Sequence, residues 1–467
     1  MTVAVRMARR CAAWQRDCLR HLQHVADYVV VERADDRATL AADIVVDLTG
    51  KIDRTLPAGT RWYFAFGAAA DPTMAFSTEI ASGGVLDVTL LESGDRGERT
   101  LRSGTFGLLA THGRTLKALL DECARWPALE IERLKRSAKG AGESSAFSTP
   151  RALSNRRPNA LARTGVAFQF ARRILERVVA RTFVVEEWNV GIVRAAPEDF
   201  LNAAFRPQAR WLDAPAHESL ADPFVLKTEP DCVTLLCERW RSDGGRGRIA
   251  RVALTPSAAL IDEEFREEHH VSYPYVVREN GAVYCIPERH EAGELALYRI
   301  DDGWHREGSL LSIAAVDATP VRHEGRWWIF TSDESRLSRA NLFAFHADRL
   351  AGPWIPHARN PIKTDVRSAR SAGMPFIWHG GLIRPAQDCS RTYGGAIVFN
   401  RIDRLDLHEF EESTIARFDP RQLDRYRDAC HTLSFCADTC AIDGRRDRID
   451  VILPAKRIFR RVVGRAR

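Results

Sequence analysis

The chain has 467 residues and combines 45% hydrophobic with 28% charged residues, a globular composition that excludes a fibrous or wholly disordered protein. Its length predicts two or three domains rather than one core. The net charge of +6 is too small for the concentrated basic face of a nucleic-acid-binding protein, so no nucleic-acid partner is expected.

The first part of the chain alternates helical and strand-like patterns. Residues 11–31 and 115–125 predict helices, and the second of these ends before Pro127. Strands are predicted at 44–48, 62–66, 85–91 and 104–109. Residues 1–135 are therefore interpreted as a small α/β domain, and the Ser-, Gly-, Pro- and Arg-rich residues 136–165 as a linker.

A basic amphipathic helix is predicted at 166–182, where Val166, Phe170, Ile174 and Val178 recur at every fourth position. Such a connecting helix commonly packs its apolar stripe on the next domain, and the alternative is that it lies on an anionic membrane surface. The arginine-rich end of the chain, which follows Asp443 and is assigned to a tail at 446–467, has two similar interpretations: membrane contact or a solvated end.

The ten cysteines form no CxxC pair, which argues against a zinc ribbon or a thioredoxin-type site, and no other metal site is expected. The sequence predicts neither a membrane-spanning helix nor a signal peptide. We expect a cytoplasmic protein, with peripheral contact to the inner membrane face through the basic helix and tail.

An internal repeat begins after residue 183. Each unit has an apolar strand, a polar turn and a second apolar strand that closes on a carboxylate. The units start at Asp222, Tyr273, Asp317 and Met374, at intervals of 51, 44 and 57 residues, which is typical of propeller blades. A strand at 187–192 supplies the start of a fifth blade or its closure. A β-sandwich would not explain the recurring carboxylate, so the sequence predicts a mainly β chain with a five-bladed β-propeller over 183–445.

The innermost strand of each blade lies beside the central channel, so polar residues at equivalent positions converge on the axis. The repeat places six carboxylates at two such points per blade: Asp222, Glu238, Glu288, Asp317, Asp333 and Asp388. Crowded carboxylates raise the pKa of at least one member, which is what acid and base catalysis at a glycosidic bond requires. The alternative for each carboxylate alone is that it accepts hydrogen bonds from turn amides.

Three carboxylates are assigned catalytic roles. Asp222 is predicted as the base because it opens the first unit on an inner strand. Glu288 is predicted as the acid, because the apolar neighbours Ile286 and Pro287 should raise its pKa, and Asp317 is expected to orient the reacting groups. The predicted substrate-binding residues, whose arginines suit a phosphate group, are Glu238, Tyr273, Arg370, Arg384, Gln387 and Asp388.

The segments SYPYVVRENGAVYCIPE, WWIFTSD, LAGPWIPHARNPI, RSARSAGMPFIWHGGLIRPAQD and HTLSFCADTCAIDG, in this order, resemble the N-terminal propeller family named after glucosamine inositolphosphorylceramide transferase. LAGPWIPHARNPI is also similar to the last blade of arabinanase- and fructosidase-like hydrolases, whose clan implies three axial carboxylates as base, acid and helper. Residues 47–127 resemble part of a formyltransferase-like domain but lack its Asn-His-Asp set, so residues 1–135 are interpreted as a degenerate member.

The resemblance implies a carbohydrate-active protein, a sugar transferase of glycan or glycolipid biosynthesis with a carbohydrate or glycolipid substrate. Its donor would be a nucleotide sugar, and no other cofactor is expected. Two alternatives remain at this stage: a glycoside hydrolase of the arabinanase-like clan, and a non-catalytic propeller that binds a glycan or a partner. The sequence does not define the sugar, the acceptor or the oligomeric state.

Overall fold

The computed structural model describes residues 1–8, 11–33, 42–50, 60–73, 75–95, 97–137, 153, 158–215, 217–241 and 245–453. They form two compact units, Met1–Leu175 and Glu176–Arg467. Most of the predicted linker at 136–165 and of the predicted tail at 446–467 lies outside the described residues. Among the helices of the described part of the chain, none combines the length and the apolar character that crossing a bilayer requires.

The first unit contains a six-stranded sheet in the order β2-β1-β3-β4-β5-β6, in which β1 to β4 are parallel and the last two strands are antiparallel. The strands are Thr2–Met7 (β1), Tyr28–Arg33 (β2), Ile44–Asp47 (β3), Thr60–Phe66 (β4), Leu86–Gly94 (β5) and Gly97–Phe106 (β6). The helices are Ala13–Val25 (α1), Ser77–Ala81 (α2), His112–Cys123 (α3), Trp126–Ser137 (α4) and Ala160–Phe183 (α5), and the last part of α5, from Glu176 onward, belongs to the second unit.

The predicted elements of this unit are largely confirmed. The helix predicted at 11–31 ends at Val25, because the β-branched residues that follow form β2 at the edge of the sheet. Pro127 does not end the helical region. It lies in the first turn of α4, where a proline is tolerated because the first N–H groups of a helix have no partner within it.

A cavity of about 220 Å³ lies in this unit beside the start of α1, where its wall includes Ala8, Ala12, Leu48 and Thr49. It opens at the carboxyl ends of β1 and β3, the point at which the strand order reverses and ligands of open α/β sheets usually bind. The formyltransferase-like character of residues 1–135 stays a prediction.

The second unit is a five-bladed β-propeller, as predicted. Blade 1 contains Glu218–Glu229 (β9), Cys232–Arg241 (β10), Arg248–Leu254 (β11) and Ala259–Phe265 (β12). Blade 2 contains Ser272–Glu279 (β13), Ala282–Glu288 (β14), Leu295–Ile300 (β15) and Trp304–Leu311 (β16). Blade 3 is Ala315–His323 (β17), Arg326–Asp333 (β18), Asn341–Ala347 (β19) and Ile355–Pro356 (β20), with Lys363–Thr364 (β21) beside β19. Blade 4 is Phe376–Trp378 (β22), Gly381–Gln387 (β23), Ile397–Leu405 (β24) and Phe410–Phe418 (β25).

Blade 5 closes the ring with strands from both ends of the propeller sequence. It contains Leu433–Cys436 (β26), Thr439–Ile449 (β27), Val184–Arg194 (β7) and Arg210–Trp211 (β8). Strand β7 pairs along its whole length with β27, so the early strand predicted at 187–192 supplies the closure. Because β27 extends to Ile449, residues 446–449 of the predicted tail are part of this blade.

Candidate functional site

The innermost strands of blades 1, 2 and 3 are bulged at the same point. Asp222, Tyr273 and Asp317 have left-handed backbone conformations there, with φ of 50°, 42° and 48°, and the pairing register shifts beside each of them. Gly373 takes this conformation in blade 4, with φ of 101°. A bulge redirects the side chains of an inner strand, so the sequence repeat marks the positions at which the blades turn side chains into the centre.

Asp317 is held by two side chains from the segment that enters and forms blade 4. Its Oδ2 accepts hydrogen bonds from Arg370 Nε at 2.5 Å and from Gln387 Nε2 at 2.8 Å. Burial raises the pKa of Asp317 to about 6, although the charge of Arg370 opposes the rise. Within the described part of the chain no hydrogen bond reaches Oδ1, which leaves this oxygen for a ligand.

Glu288 lies beside Asp317. Its Oε2 accepts the backbone N–H of Asp317 at 3.0 Å, and its Oε1 is 2.8 Å from Nδ1 of His290. Burial alone would raise the pKa of Glu288, but the hydrogen bond with His290 and the charge of Arg370 outweigh it and lower the pKa. The rise predicted from the apolar neighbours is therefore reversed, and this carboxylate is ionised at neutral pH.

Asp222 forms, together with Glu288 and Asp317, a group of buried carboxyl groups that we call the axial cluster. Its Oδ1 accepts a hydrogen bond from Thr432 Oγ1 at 2.6 Å, and its Oδ2 accepts the backbone N–H of Tyr273 at 3.3 Å. Burial raises the pKa of Asp222 to about 8, against the opposing charge of His431. The pKa directions thus favour Asp222 as the acid and Glu288 as the base, the reverse of the roles predicted from the sequence.

Blade 5 contributes two residues that the sequence analysis missed, His431 and Asp443. Asp443 Oδ2 lies 2.6 Å from His431 Nδ1 and accepts the N–H of Asp222 at 3.2 Å. Burial would lower the pKa of His431, but the carboxylates of Asp443 and Asp222 outweigh it and raise the pKa to about 9. The indole of Trp188 stacks on this imidazole at 4.4 Å. One signal was available: Asp443 follows an apolar run, as Glu238 does, but the arginines after it suggested a tail.

Asp222, His431 and Asp443 also form the buried group that can offer metal ligands in the described residues. One ligand atom from each lies within 4.8 Å of the others. Carboxylate oxygens and an imidazole suit a divalent cation of intermediate softness. The contact between His431 and Asp443 already compensates their charges without a metal ion.

Two residues predicted to bind substrate are structural, which corrects the prediction. Tyr273 is fully buried, and its hydroxyl accepts the N–H of Gly373 at 2.8 Å and contacts Thr319 Oγ1 at 2.9 Å, so it links blades 2, 3 and 4. Arg384 is also fully buried and forms a two-pronged ion pair with Glu412 of β25, at 2.9 and 2.6 Å. Neither side chain has surface with which to contact a ligand.

Asp333 and Asp388 do not join the cluster. Asp333 accepts hydrogen bonds from the N–H and hydroxyl of Ser335 at 2.9 and 2.7 Å, which is turn chemistry. Asp388, which the sequence predicts to bind substrate, pairs with Arg417 of the outer strand β25. Glu238 remains near the centre, 8% exposed and 3.1 Å from Nε2 of His270.

The register of the second strand in each blade explains which carboxylates face the centre. Glu238 and Glu288 each lie opposite the residue that precedes the left-handed position of their blade, and Ser332 takes the equivalent place in blade 3. Asp333 follows Ser332 by one residue, and Asp388 follows Gln387 by one residue. Successive side chains of a strand point to opposite faces, so a shift of one residue turns each carboxylate away.

The propeller sequence matches known proteins. Residues 215–430 match the family model described as glucosamine inositolphosphorylceramide transferase 1, N-terminal. Glucosamine inositolphosphorylceramide transferase 1 of Oryza sativa subsp. japonica is 36% identical over 204 residues, which cover 41% of this chain and 27% of that protein. The protein of the same name from Arabidopsis thaliana is 34% identical over 208 residues, covering 41% and 26%. The chain spans little more than a quarter of the length of these relatives.

Two solved structures align with the chain at low similarity. A family 117 glycoside hydrolase from Zobellia galactanivorans has a TM-score of 0.35 and 11% identity, covering 55% of this chain and 90% of that one. An exo-β-1,3-galactanase from Clostridium thermocellum has a TM-score of 0.36 and 12% identity, covering 48% and 59%. The five-bladed architecture rests on the strand pairing described above. Over residues 215–430 the propeller is similar to the N-terminal domain of glucosamine inositolphosphorylceramide transferase 1.

Proposed function

We propose that this protein acts in glycolipid synthesis as a sugar transferase and that the axial carboxylates of the propeller carry the chemistry. The family of the propeller and the names of its relatives support transfer to a glycolipid. The observation that carries the assignment to the axial cluster is the opposite pKa shift of two buried carboxyl groups, Asp222 and Glu288.

In this mechanism Asp222 and Glu288 divide the proton transfers. Asp222, with its pKa raised to about 8, holds a proton at neutral pH and acts as the acid at the leaving group. Glu288 is ionised and accepts the proton of the acceptor hydroxyl. Asp317 and Arg370 orient the sugar, because Asp317 keeps one oxygen without a hydrogen bond in the described part of the chain. Two carboxyl groups whose environments separate their pKa values are typical of enzymes that act on glycosidic bonds.

Aromatic and cationic groups beside the cluster suit a phosphorylated sugar. Tyr393 and Trp240, both half-buried, pack with Trp188, and sugar rings stack on such surfaces. The guanidinium groups of Arg370 and Arg339 lie 5.0 and 5.3 Å from the ring centre of Tyr393. Arginine binds phosphate through paired N–H groups, so we propose a nucleotide sugar as donor.

The experiment is a transfer assay with the full chain, a panel of nucleotide sugars and an inositol phosphoceramide acceptor. We expect a donor-dependent glycolipid product, lost by at least about a hundredfold in the Asp222→Asn and Glu288→Gln variants. Asp333→Asn is the matched control, because Asp333 belongs to the same sequence repeat but lies outside the cluster. Full activity in both cluster variants would refute the catalytic assignment. Release of the aglycone from aryl glycosides without transfer would identify a hydrolase.

A non-catalytic propeller is the second candidate, and one observation favours it. Several axial carboxylates accept a backbone N–H from the next blade: Asp443 from Asp222, Asp222 from Tyr273, and Glu288 from Asp317. These contacts stabilise the ring whether or not a reaction occurs there. Under this candidate the same two variants would lower the unfolding temperature, and the wild-type chain would bind a glycolipid without converting it.

A further inference from the structure

Helix α5 carries a long exposed apolar surface. Leu161, Phe168, Leu175, Val178 and Val179 form this α5 stripe, and they are 80%, 71%, 63%, 54% and 42% exposed. At about 100° per residue, they fall together with the 46% exposed Ile174 in a sector about 140° wide. Single exposed apolar residues are normal on a protein surface, but a continuous stripe along one helix marks an interaction surface.

The other side of the helix makes its packing contacts. Phe170 is buried and meets the ring of His112 edge to face at 5.7 Å. Arg173 Nη2 donates a hydrogen bond to the carbonyl oxygen of Leu108 at 2.7 Å. The side chains of Ile174, Leu175, Val178 and Val179 are exposed instead.

Exposed arginines border the stripe on both sides. By the same helical spacing, Arg172 lies at one edge of the apolar sector, and Arg163 and Arg181 lie at the other. Helix α5 holds five arginines against a single acidic residue, Glu176. This arrangement fits an anionic bilayer: apolar side chains enter the acyl boundary, while guanidinium groups reach the lipid phosphates.

A second exposed apolar group lies at the C-terminal end of α5. The N–H of Asp450 donates to the carbonyl oxygen of Phe183, the last residue of the helix, at 2.7 Å. The neighbours of Asp450 on the chain, Ile449, Val451 and Ile452, are 72%, 74% and 57% exposed. The apolar surface of the helix end thus continues onto the end of β27.

We propose that helix α5 lies in the plane of an anionic membrane surface, with the α5 stripe among the acyl chains and its bordering arginines at the phosphates. This contact would bring the propeller to the bilayer that holds a glycolipid acceptor, and in that respect it deepens the proposed function. The binding itself requires no turnover, so the two proposals fail separately.

The test is co-sedimentation of the full chain with vesicles. We expect binding to phosphatidylcholine vesicles that contain about one third phosphatidylserine, at least about tenfold stronger than to phosphatidylcholine alone. The double variant Phe168→Ser/Leu175→Ser should bind these anionic vesicles at least about tenfold more weakly. Ile377→Ser is the matched control, because Ile377 is 62% exposed on β22 in the propeller, and it should bind like wild type. Arg172→Gln/Arg181→Gln should remove the preference for anionic vesicles.

Three results would overturn the proposal: a wild-type chain that ignores anionic vesicles, a stripe variant that binds them undiminished, or a wild-type dimer that the stripe variant converts to a monomer. The last result would assign the stripe to a second copy of the chain. Asp317→Asn separates this proposal from the catalytic one, since it should lose sugar transfer and bind vesicles like wild type. Far-ultraviolet circular dichroism of every variant verifies that helix content is retained.

Discussion

Removing the hydroxyl of Tyr273 tests whether the centre of the propeller is closed by this side chain. The hydroxyl is fully buried and accepts the N–H of Gly373 at 2.8 Å, so Tyr273→Phe leaves that buried donor without its acceptor. A buried group that loses its partner costs about 1–3 kcal/mol. Thr319 loses less, because its hydroxyl also donates to the carbonyl oxygen of Asp317 at 3.1 Å. We therefore expect the free energy of unfolding of the propeller to fall by about 1–3 kcal/mol, measured by urea denaturation.

The neighbouring tyrosine provides the control. Tyr275 is buried in the same strand, and in the described residues its hydroxyl makes no hydrogen bond, so Tyr275→Phe should change the unfolding free energy by less than about 0.5 kcal/mol. Affinity for a sugar ligand should be unchanged in both variants. An unaltered urea midpoint for Tyr273→Phe, combined with weaker ligand binding, would refute the structural role and restore Tyr273 as a substrate contact.

Three further substitutions test other parts of the propeller. Asp222→Asn should flatten the pH dependence of stability. Burial raises the pKa of Asp222 from 3.8 to about 8, so the folded wild type binds this proton more tightly than the unfolded chain. The wild-type free energy of unfolding therefore falls as the pH rises between these two pKa values, by up to about 1.4 kcal/mol per pH unit. Parallel pH profiles of variant and wild type in urea titrations would contradict this. Gly373→Ala should lower the free energy of unfolding by more than about 4 kcal/mol. The added Cβ would lie 1.9 Å from the carbonyl oxygen of Leu433, and the backbone has a φ of 101° there. An unchanged melting temperature in this variant would contradict the packing. Arg384→Met should lower the free energy of unfolding by about 3 kcal/mol, because the buried Glu412 then keeps only its ion pair with Lys363. Affinity for the sugar donor, measured by calorimetry, should stay constant. Weaker donor binding at unchanged stability would argue for a substrate contact.

Much of the fold could be predicted from local patterns. Apolar strands separated by short polar turns recur at a spacing that suits four-stranded blades, and three of the four repeat starts, Asp222, Tyr273 and Asp317, are the left-handed bulge positions of the structure. The fourth differs by one residue, because Gly373 rather than Met374 takes this conformation. These features depend on residues close in sequence, and a single chain displays them directly.

The membership of the axial cluster could be predicted only in part. Asp222, Glu288 and Asp317 belong to it, but the sequence could not show that Tyr273 is enclosed between blades or that Arg384 faces Glu412. The contact of His431 and Asp443 with Asp222 joins blade 5 to blade 1, across more than 200 positions of the sequence. No local pattern encodes such a pairing.

The sequence by itself determined the five-bladed propeller, its similarity to a known family and the presence of buried carboxylates near the axis. The tertiary structure decided which carboxylates meet and what each one does. A side chain on a strand changes face with a shift of one residue, which removes Asp333 and Asp388 from the cluster. The protonation of Asp222 and Glu288 likewise depends on charges from other blades, because pKa values respond to neighbours in space rather than in sequence.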